Sequence, residues 1–466
     1  AFAGLTSCAG GSTSEKQITP NIIYILADDL GYGDLGCYGS RLNHTPAIDY
    51  LAEHGMRFTD FYAASPVCSP SRGGMLTGCY PPRIGFGSFD GEWVLFPGQG
   101  VGLHPAETTI ADVLRGAGYR TKIVGKWHCG DQEEFLPLNH GFDEYYGLPY
   151  SNDMGRQVTR EDNPPLPLLD GNEVIEEQPD QRSLTERYVE QAVKFIRTNR
   201  ENPFFLYFAH MHVHLPLYTS EEFVKRSENG DYGACVACID WAARCVLEEL
   251  RRNHLEENTL FIFTSDNGGR GDHGGSNQPL RGSKGTTWEG GQRVPCIFYW
   301  PGHIPGHSVC SGLASNMDFL PTLMHLCGAK TPLANQIDGV DLSEVLLEGK
   351  SSPRKEFFYY IRENLEAVRA GNWKLHVAKD GKPVRLLYDL EHDVSESRNL
   401  YEEYPEIAAE LSRKIEECRK DLGDAVTQTA GENVRPIGRV ENPHPLTEYR
   451  EDHPYIVMMY DREEIG

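Results

Sequence analysis

The residues best suited to chemistry lie in a short segment that begins at Cys68. Residues Cys68–Arg72 read CSPSR and are followed by LTG at 76–78. Pro70 suits the first position of a helix, because its missing N–H costs nothing there and its φ is already set. Cys68 would then lie at a helix N-terminus, where free N–H groups and the helix dipole favour a negative atom. Arg72 adds a permanent cation one turn later. The alternative is an ordinary helix start with Cys68 as a small buried residue.

Two acidic clusters follow apolar runs. Asp28 and Asp29 come directly after residues 21–27, and Asp266 and Asn267 follow a second run. Adjacent carboxylates repel each other and are costly to bury unless a cation lies between them. This oxygen-rich set suits Ca²⁺ or Mg²⁺ better than zinc. Taken alone, the Asp-Asn-Gly sequence is equally typical of a turn or a helix cap.

Two further segments carry cations. Lys126 and His128 stand two residues apart after an apolar run, so both point the same way if the chain stays extended. Their alternative is a surface lysine and a packed histidine. Lys284 lies in a glycine-rich loop before another apolar run. A phosphate-binding loop or a plain linker would also be glycine-rich, but the loop lacks the Walker spacing.

A third segment carries alternating histidines. His210, His212 and His214 occupy alternate positions, which places them on one face of a strand if the segment is extended. Imidazole is a common zinc ligand, so a zinc site is an alternative interpretation.

The elements that must position these residues alternate along the chain. Five apolar, β-branched or aromatic runs predict buried parallel strands: Asn21–Ala27, Arg120–Val124, Pro203–Ala209, Thr259–Thr264 and Pro295–Trp300. Helical patterns lie between them at Thr45–Glu53, Thr109–Ala117, Leu184–Thr198 and Ala234–Asn253. This alternation predicts an α/β fold with a large, mostly parallel sheet flanked by helices. Ligands of such sheets bind beyond the carboxyl ends of the strands, so the polar clusters there are expected to meet.

The chain is predicted to contain three parts. Residues 1–18 form a flexible leader, 19–350 a catalytic domain, and 351–466 a smaller C-terminal α+β domain with a tail. The last part contains four short alternating segments and then an amphipathic helix over Glu406–Leu422. That pattern predicts a four-stranded antiparallel sheet covered by a helix.

Charge and hydropathy exclude several classes of partner. The net charge is −24 and no long basic run occurs, which argues against nucleic acid and anionic membranes. No stretch reaches the roughly 18 apolar residues of a transmembrane helix. Leu5–Cys8 resembles a bacterial lipoprotein processing box followed by a polar tether. We therefore expect an exported bacterial protein, periplasmic or on the cell surface, that contacts the membrane only through a lipid at Cys8. The alternative is a disordered leader with a chance cysteine.

Taken together, these motifs resemble the sulfatase family, and the arylsulfatase A branch in particular. The segment from Cys68 resembles the first family signature and residues 118–128 the second, and the likeness runs from Pro20 to Ala425. The resemblance implies an alkaline-phosphatase-like fold. It also implies that a maturating enzyme oxidises Cys68 to formylglycine, an aldehyde whose hydrate attacks sulfur.

The resemblance further implies a role for each site residue. Asp28, Asp29, Asp266, Asn267 and the modified Cys68 would hold Ca²⁺, with Mg²⁺ less favoured. Arg72, Lys126 and Lys284 would balance the charge on the sulfuryl oxygens. Lys126 would also stabilise the nucleophile, and Lys284 would bind the sulfate. His128 would act as a base, and His214 would contact the sulfate and serve as an acid. Ser151, in a looser motif at 147–153, would present its hydroxyl to the sulfate.

The function implied is that of a sulfuric ester hydrolase. It would remove sulfate from a carbohydrate, such as a glycosaminoglycan sugar, or from an aryl sulfate. One alternative is a phosphate or phosphonate monoester hydrolase on the same scaffold. The other is a catalytically inactive sugar-binding homologue whose Cys68 remains a thiol.

Overall fold

The computed structural model of the protein describes residues 19–455 and 460–466. The predicted leader at 1–18, including Cys8, lies outside these residues. The strands are β1 (Asn21–Ala27), β2 (Met56–Phe58), β3 (Phe61–Tyr62), β4 (Val101–Gly102), β5 (Arg120–Gly125), β6 (Glu144–Gly147), β7 (Pro167–Asp170), β8 (Glu173–Glu177), β9 (Phe204–Ala209), β10 (Thr259–Ser265), β11 (Cys296–Tyr299), β12 (Ser308–Cys310), β13 (Ala314–Ser315), β14 (Glu356–Ile361), β15 (Asn364–Ala370), β16 (Trp373–Lys379), β17 (Lys382–Asp389) and β18 (Gly438–Arg439). The α-helices are α1 (Pro46–His54), α2 (Cys68–Thr77), α3 (Ile110–Gly116), α4 (Leu184–Thr198), α5 (Glu221–Val224), α6 (Gly230–Arg252), α7 (Glu289–Gln292), α8 (Phe319–Leu326), α9 (Ser343–Glu348) and α10 (Pro405–Leu422).

The main sheet confirms the predicted α/β fold class. Its ten strands follow the order β12-β2-β11-β10-β1-β9-β5-β6-β7-β8. The middle of the sheet, β10-β1-β9-β5-β6, is parallel throughout. These strands are apolar runs because helices cover both of their faces.

One strand runs opposite to the prediction. The run at 295–300 forms β11, which pairs antiparallel with β10. A parallel neighbour needs a crossover that returns the chain to the other end of the sheet, usually through a helix. The connection from β10 to β11 contains a 3-10 helix at Gly271–His273 and the four-residue helix α7. Neither is long enough to return the chain to the other end of the sheet, so β11 runs back from the carboxyl edge.

Alternate residues of the central strands enter two separate cores. Ile22, Tyr24 and Leu26 of β1 pack with α2, α3, α8 and α9. Ile23 and Ile25 face the opposite way and pack with α1, α4 and α6. Helices therefore pack on both faces of the central strands. This packing fixes the positions of the side chains at the carboxyl ends of the strands.

The C-terminal region contains the predicted antiparallel sheet. Its four strands follow the order β14-β15-β16-β17, and α10 packs against β15 and β16 in a third core. Among the described residues, no helix is both long and apolar enough to span a bilayer.

Candidate active site

The carboxyl ends of four neighbouring strands deliver the candidate residues to one place. Asp28 and Asp29 follow β1, Asp266 and Asn267 follow β10, Lys126 follows β5, and His214 lies five residues beyond β9. Gly125 makes the approach of β5 to β9 possible, because a Cβ there would lie 1.9 Å from the Ala209 carbonyl oxygen. The strand order β10-β1-β9-β5 therefore joins segments that are far apart in sequence.

Carboxylates and Cys68 form a compact set of metal-ligand atoms. One ligand atom each from Asp28, Asp29, Cys68 and Asp266 lies within 4.8 Å of all the others, and all four residues are buried. Asn267 donates from Nδ2 to Asp29 Oδ1 at 2.7 Å. Its Oδ1 is buried and finds no hydrogen-bond partner among the described residues. Buried polar atoms are normally satisfied, so this oxygen is available to a ligand.

Three cations surround these carboxylates. Lys126 Nζ lies 2.6 Å from Asp28 Oδ2, Lys284 Nζ 2.8 Å from Asp29 Oδ2, and Arg72 Nε 2.9 Å from Asp266 Oδ2. Burial alone would raise the pKa of Asp28, but Lys126 and Arg72 outweigh it and hold that pKa well below the ordinary value. Burial and the nearby Asp28 instead raise the pKa of Asp266 to about 7. The cations therefore favour the ionised form of Asp28, whereas burial and the charge of Asp28 outweigh Arg72 at Asp266.

Cys68 begins α2 and faces the carboxylates. Val67 is the N-cap residue, and Pro70 is the third residue of the helix, where the sequence had predicted the first. Cys68 Sγ donates to Asp28 Oδ1 at 3.4 Å. Burial, and then the charge of Asp28, raise the pKa of the Cys68 thiol well above its ordinary value. Because the thiolate is the reactive form of cysteine, the unmodified thiol is a poor nucleophile in this position.

Ser151 and His214 complete the inner wall. Ser151 follows β6, accepts a hydrogen bond from Lys126 Nζ at 3.1 Å, and lies 3.3 Å from both ring nitrogens of His214. His214 Nε2 is 3.8 Å from Asp29 Oδ2. The motif at 147–153 therefore places the Ser151 hydroxyl next to Lys126 and His214, which themselves lie beside the carboxylates.

His128 and Cys68 both line one cavity. Its Nε2 contacts the Leu95 carbonyl at 2.9 Å, and its Nδ1 finds no partner among the described residues. Burial and the charge of Lys126 lower the pKa of His128 well below the ordinary value. The backbone of His128 has φ +60°, and that of Asp29 has φ +62°. Residues other than glycine uncommonly adopt this conformation, and active sites are among the places where it occurs.

The alternating histidines do not form a strand face. Strand β9 ends at Ala209, so His210, His212 and His214 lie in the loop that follows. The rings of His210 and His212 are 5.0 Å apart. Among the described residues, the potential metal-ligand groups include His214 but neither of the other two. The prediction that the three histidines share one face of a strand was therefore wrong. The apolar run that forms β9 ends at Ala209, before the first histidine.

A cavity of about 890 Å³ opens onto Cys68, His128, Ser151, His214 and Lys284. Its wall also includes Arg160, Arg270 and Asn277, which no sequence motif indicated. Trp93 and Phe96 line it too, whereas from the sequence we favoured packing over sugar stacking for both. The segment 460–466 also reaches it, because the Gly466 N–H donates to Asp153 Oδ2 at 3.1 Å. The polar tail sequence carries no periodicity that could predict this contact.

Comparison with protein families gives two matches. The family described as "Sulfatase" matches residues 20–329. The family described as "N-sulphoglucosamine sulphohydrolase, C-terminal" matches residues 283–421.

Individual proteins give a consistent result. The chain is 40% identical to human arylsulfatase A over 428 residues, which covers 82% of this chain and 83% of that protein. It is 40% identical to N-acetylgalactosamine-6-sulfatase of Sus scrofa over 388 residues, covering 79% and 74%. The crystal structure of Ps i-CgsB in complex with k-i-k-neocarrahexaose superposes with a TM-score of 0.76 at 32% identity, covering 86% of this chain and 92% of that one.

Proposed function

The chain belongs to the sulfatase family of sulfuric ester hydrolases, and from that premise we propose that it removes sulfate from a carbohydrate, using formylglycine at position 68 and a bound Ca²⁺. The single observation that carries the proposal is the convergence described above. Cys68, three carboxylates and three cations meet at one edge of the parallel sheet, and Cys68 and Lys284 of this set line the cavity there.

The donor atoms fit a hard divalent cation. Ca²⁺ binds six to eight oxygen ligands, with carboxylate and amide oxygens among them. Asp28, Asp29, Asp266 and the unpartnered Oδ1 of Asn267 offer such oxygens, and residue 68 lies beside them. Bound there, the ion would lower the pKa of an oxygen ligand and offset the carboxylate repulsion.

Position 68 fits a modified residue better than a thiol. The Cys68 thiol is buried beside carboxylates that disfavour its ionisation. A formylglycine made from it by a maturating enzyme would supply a hydrated aldehyde whose hydroxyl attacks sulfur. The modification would replace a thiol whose ionisation is disfavoured with hydroxyl groups. Such hydroxyls suit a site whose other ligand atoms are oxygens.

The chain's own residues would supply charge and protons. Lys126 Nζ pairs with Asp28 and Lys284 Nζ pairs with Asp29, and both lysines would bind the sulfate oxygens. His214 lines the cavity, its Nε2 lies 3.8 Å from Asp29 Oδ2, and it would protonate the leaving alcohol. At His128, an Nε2–H that donates to Leu95 O leaves Nδ1 as an acceptor, so Nδ1 would take a proton from residue 68.

The outer cavity supports a sugar as the leaving group. Trp93 is 38% exposed there and offers an aromatic face. Arg160 and Arg270 line the same cavity and offer polar groups there. Sugars are commonly held between an aromatic ring and a few hydrogen-bonding groups. One relative is named N-acetylgalactosamine-6-sulfatase, and one similar structure is a complex with k-i-k-neocarrahexaose. Both support a carbohydrate sulfate as the class of substrate.

The test combines residue analysis with a substrate panel. Protein produced with a sulfatase-maturating enzyme is digested, and the peptide containing residue 68 is weighed. Sulfate release is measured from defined sulfated mono- and disaccharides. We expect an aldehyde at residue 68 and turnover of at least one sugar. Cys68→Ala should abolish turnover, whereas Cys79→Ala, which changes a buried cysteine outside the cluster, should preserve it.

Two outcomes would replace the proposal. A thiol at residue 68, together with sugar binding and no turnover, would favour the inactive binding homologue. Faster hydrolysis of a phosphate ester than of the sulfate ester of the same phenol would favour the phosphate or phosphonate hydrolase. The lipid anchor at Cys8 and export to the periplasm or cell surface remain predictions from the sequence.

A further inference from the structure

Lys284 belongs to a loop, residues 280–292, that rests on the C-terminal sheet. Two buried charged side chains hold the loop by its backbone. Lys374 of β16 donates from Nζ to the Thr287 carbonyl at 2.8 Å, and Glu396 accepts the Glu289 N–H on Oε2 at 2.7 Å. The loop that carries a sulfate-site lysine is therefore fixed by residues about 90 to 110 positions later in the chain.

The two side chains are also paired with each other. Lys374 Nζ lies 2.9 Å from both Glu289 Oε1 and Glu396 Oε1, and all three side chains are fully buried. Buried ion pairs are weak sources of stability, because apolar side chains of similar volume often stabilise as well or better. A fully bonded charged network does, however, restrict its members to one arrangement. The network is thus better suited to fixing the loop's position than to stabilising the fold.

A second contact holds the loop at the same residue. The Thr287 hydroxyl donates to Glu366 Oε2 at 2.5 Å and accepts from Lys379 Nζ at 2.6 Å. The Lys379 ammonium also lies 4.4 Å from the Trp288 ring centroid. Both the backbone and the side chain of Thr287 are therefore held by the C-terminal sheet.

Near Lys284 the loop contacts the catalytic region, and the Lys284 ammonium itself pairs with Asp29 at 2.8 Å. The Lys284 N–H donates to Gly269 O at 3.3 Å, and the Gly285 N–H donates to Pro66 O at 2.9 Å. Only two residues, 285 and 286, lie between Lys284 and the held Thr287, so we expect a shift of the backbone at Thr287 to reach Lys284. An ammonium displaced by about 1 Å loses much of its effect on a reacting group.

We propose that Lys374 and Glu396 are positioning residues that act on catalysis through Lys284, so that the C-terminal sheet sets the geometry of the sulfate site. This inference rests on the proposed function. It gives the C-terminal region a role in turnover, although among its described residues only the segment 460–466 lines the cavity.

The test is a double-mutant cycle with a matched control. Lys374→Met removes the charge and keeps the side-chain length. Arg354→Met is the control, because Arg354 is equally buried in the C-terminal region, pairs with Asp318 and does not contact the loop. Both variants should lower the melting temperature. Only Lys374→Met should lower kcat/KM, by at least 10-fold, with most of the loss in kcat.

The cycle shows whether the effect passes through Lys284. In a Lys284→Ala background, Lys374→Met should change kcat/KM by less than 2-fold. An equal loss in both backgrounds, or wild-type kcat/KM in the single variant, would overturn the inference. If Lys374→Met does not fold, Thr287→Val removes only the hydroxyl contacts and should give a smaller loss, about 3-fold, with the same dependence on Lys284.

A structural readout separates this inference from the proposed function. Hydrogen–deuterium exchange of the peptide 283–288 should be faster in Lys374→Met than in wild type, and unchanged in Arg354→Met. Wild-type protein that hydrolyses no sulfate ester would refute the proposed function, while the exchange result would still decide whether the sheet holds the loop. Unchanged exchange in Lys374→Met would overturn the inference even in an active enzyme.

Discussion

The carboxylate cluster predicts that calcium stabilises the folded protein and that Asn267 is needed for this effect. A ligand that binds only the folded state adds RT ln(1 + [L]/Kd), which is about 2.7 kcal/mol at one hundred times Kd. At roughly 2.1 cal/mol/K per residue, the described residues have a total unfolding entropy of about 0.9 kcal/mol/K. Dividing the added free energy by this entropy gives a rise in melting temperature of about 3 °C.

The perturbation is Asn267→Leu, which keeps the volume and removes the unpartnered Oδ1. If losing this oxygen weakens calcium binding 100-fold, the same calcium concentration adds only about 0.4 kcal/mol. The expected rise in melting temperature then falls below about 1 °C. Mg²⁺ should give a smaller rise than Ca²⁺ in the wild type, because it demands a stricter geometry and dehydrates reluctantly.

The assay is differential scanning fluorimetry after chelation and readdition of each ion. His392→Ala provides the control, because Asp389, Glu391 and His392 form a partly exposed group that could also take an ion. That variant should keep the full calcium response. The reasoning is refuted if calcium leaves the wild-type melting temperature unchanged, or if Asn267→Leu responds as the wild type does.

Three further predictions concern Ser151, Trp93 and Asp240. Ser151→Ala should lower kcat/KM about 10- to 100-fold, as expected for losing one hydrogen bond to a charged group, and unchanged steady-state kinetics would show that its hydroxyl only packs. Trp93→Ala should raise KM for a sulfated sugar about 10-fold and leave inhibition by inorganic sulfate unchanged, because the ring lies at the rim; equal effects on both would contradict sugar stacking. Burial raises the pKa of Asp240 from 3.8 to about 7, so its contribution to stability is full below about pH 4 and is lost as the pH rises to 7. Asp240→Asn keeps the Oδ1 that accepts both α1 N–H groups and should remove a few kcal/mol of this pH dependence in urea unfolding, whereas parallel pH curves would refute the shift.

Sequence patterns predicted the central elements because local and tertiary preferences agree there. β1 and α4 have the bounds that their apolar patterns gave, since strands buried on both faces and strongly amphipathic helices carry clear signals. The meeting of Asp28, Lys126 and Asp266 followed from their places after parallel strands. No ion pair could be assigned in this way, because pairing depends on side-chain distances in the folded chain.

The rest of the site depends on contacts that leave no local pattern. Trp93 and Arg270 reach the cavity from irregular loops, and the segment 460–466 reaches it from a polar tail. The network of Lys374 and Glu396 is equally hidden, because charged residues usually indicate a solvated surface. Only the folded structure shows that Lys374 and Glu396 contact the loop at 280–292, which carries Lys284.

The burial of Cys68 fixes the order of events during biosynthesis. The side chain is 1% exposed, enclosed by segments that follow β1, β5 and β10, so another enzyme cannot reach it once the sheet has closed. The β10 partner of β1, residues 259–265, is synthesised nearly two hundred residues after position 68, so the sheet around Cys68 cannot be completed before then. Any processing of this cysteine must therefore compete with folding, and faster closure of the sheet would yield more unprocessed protein.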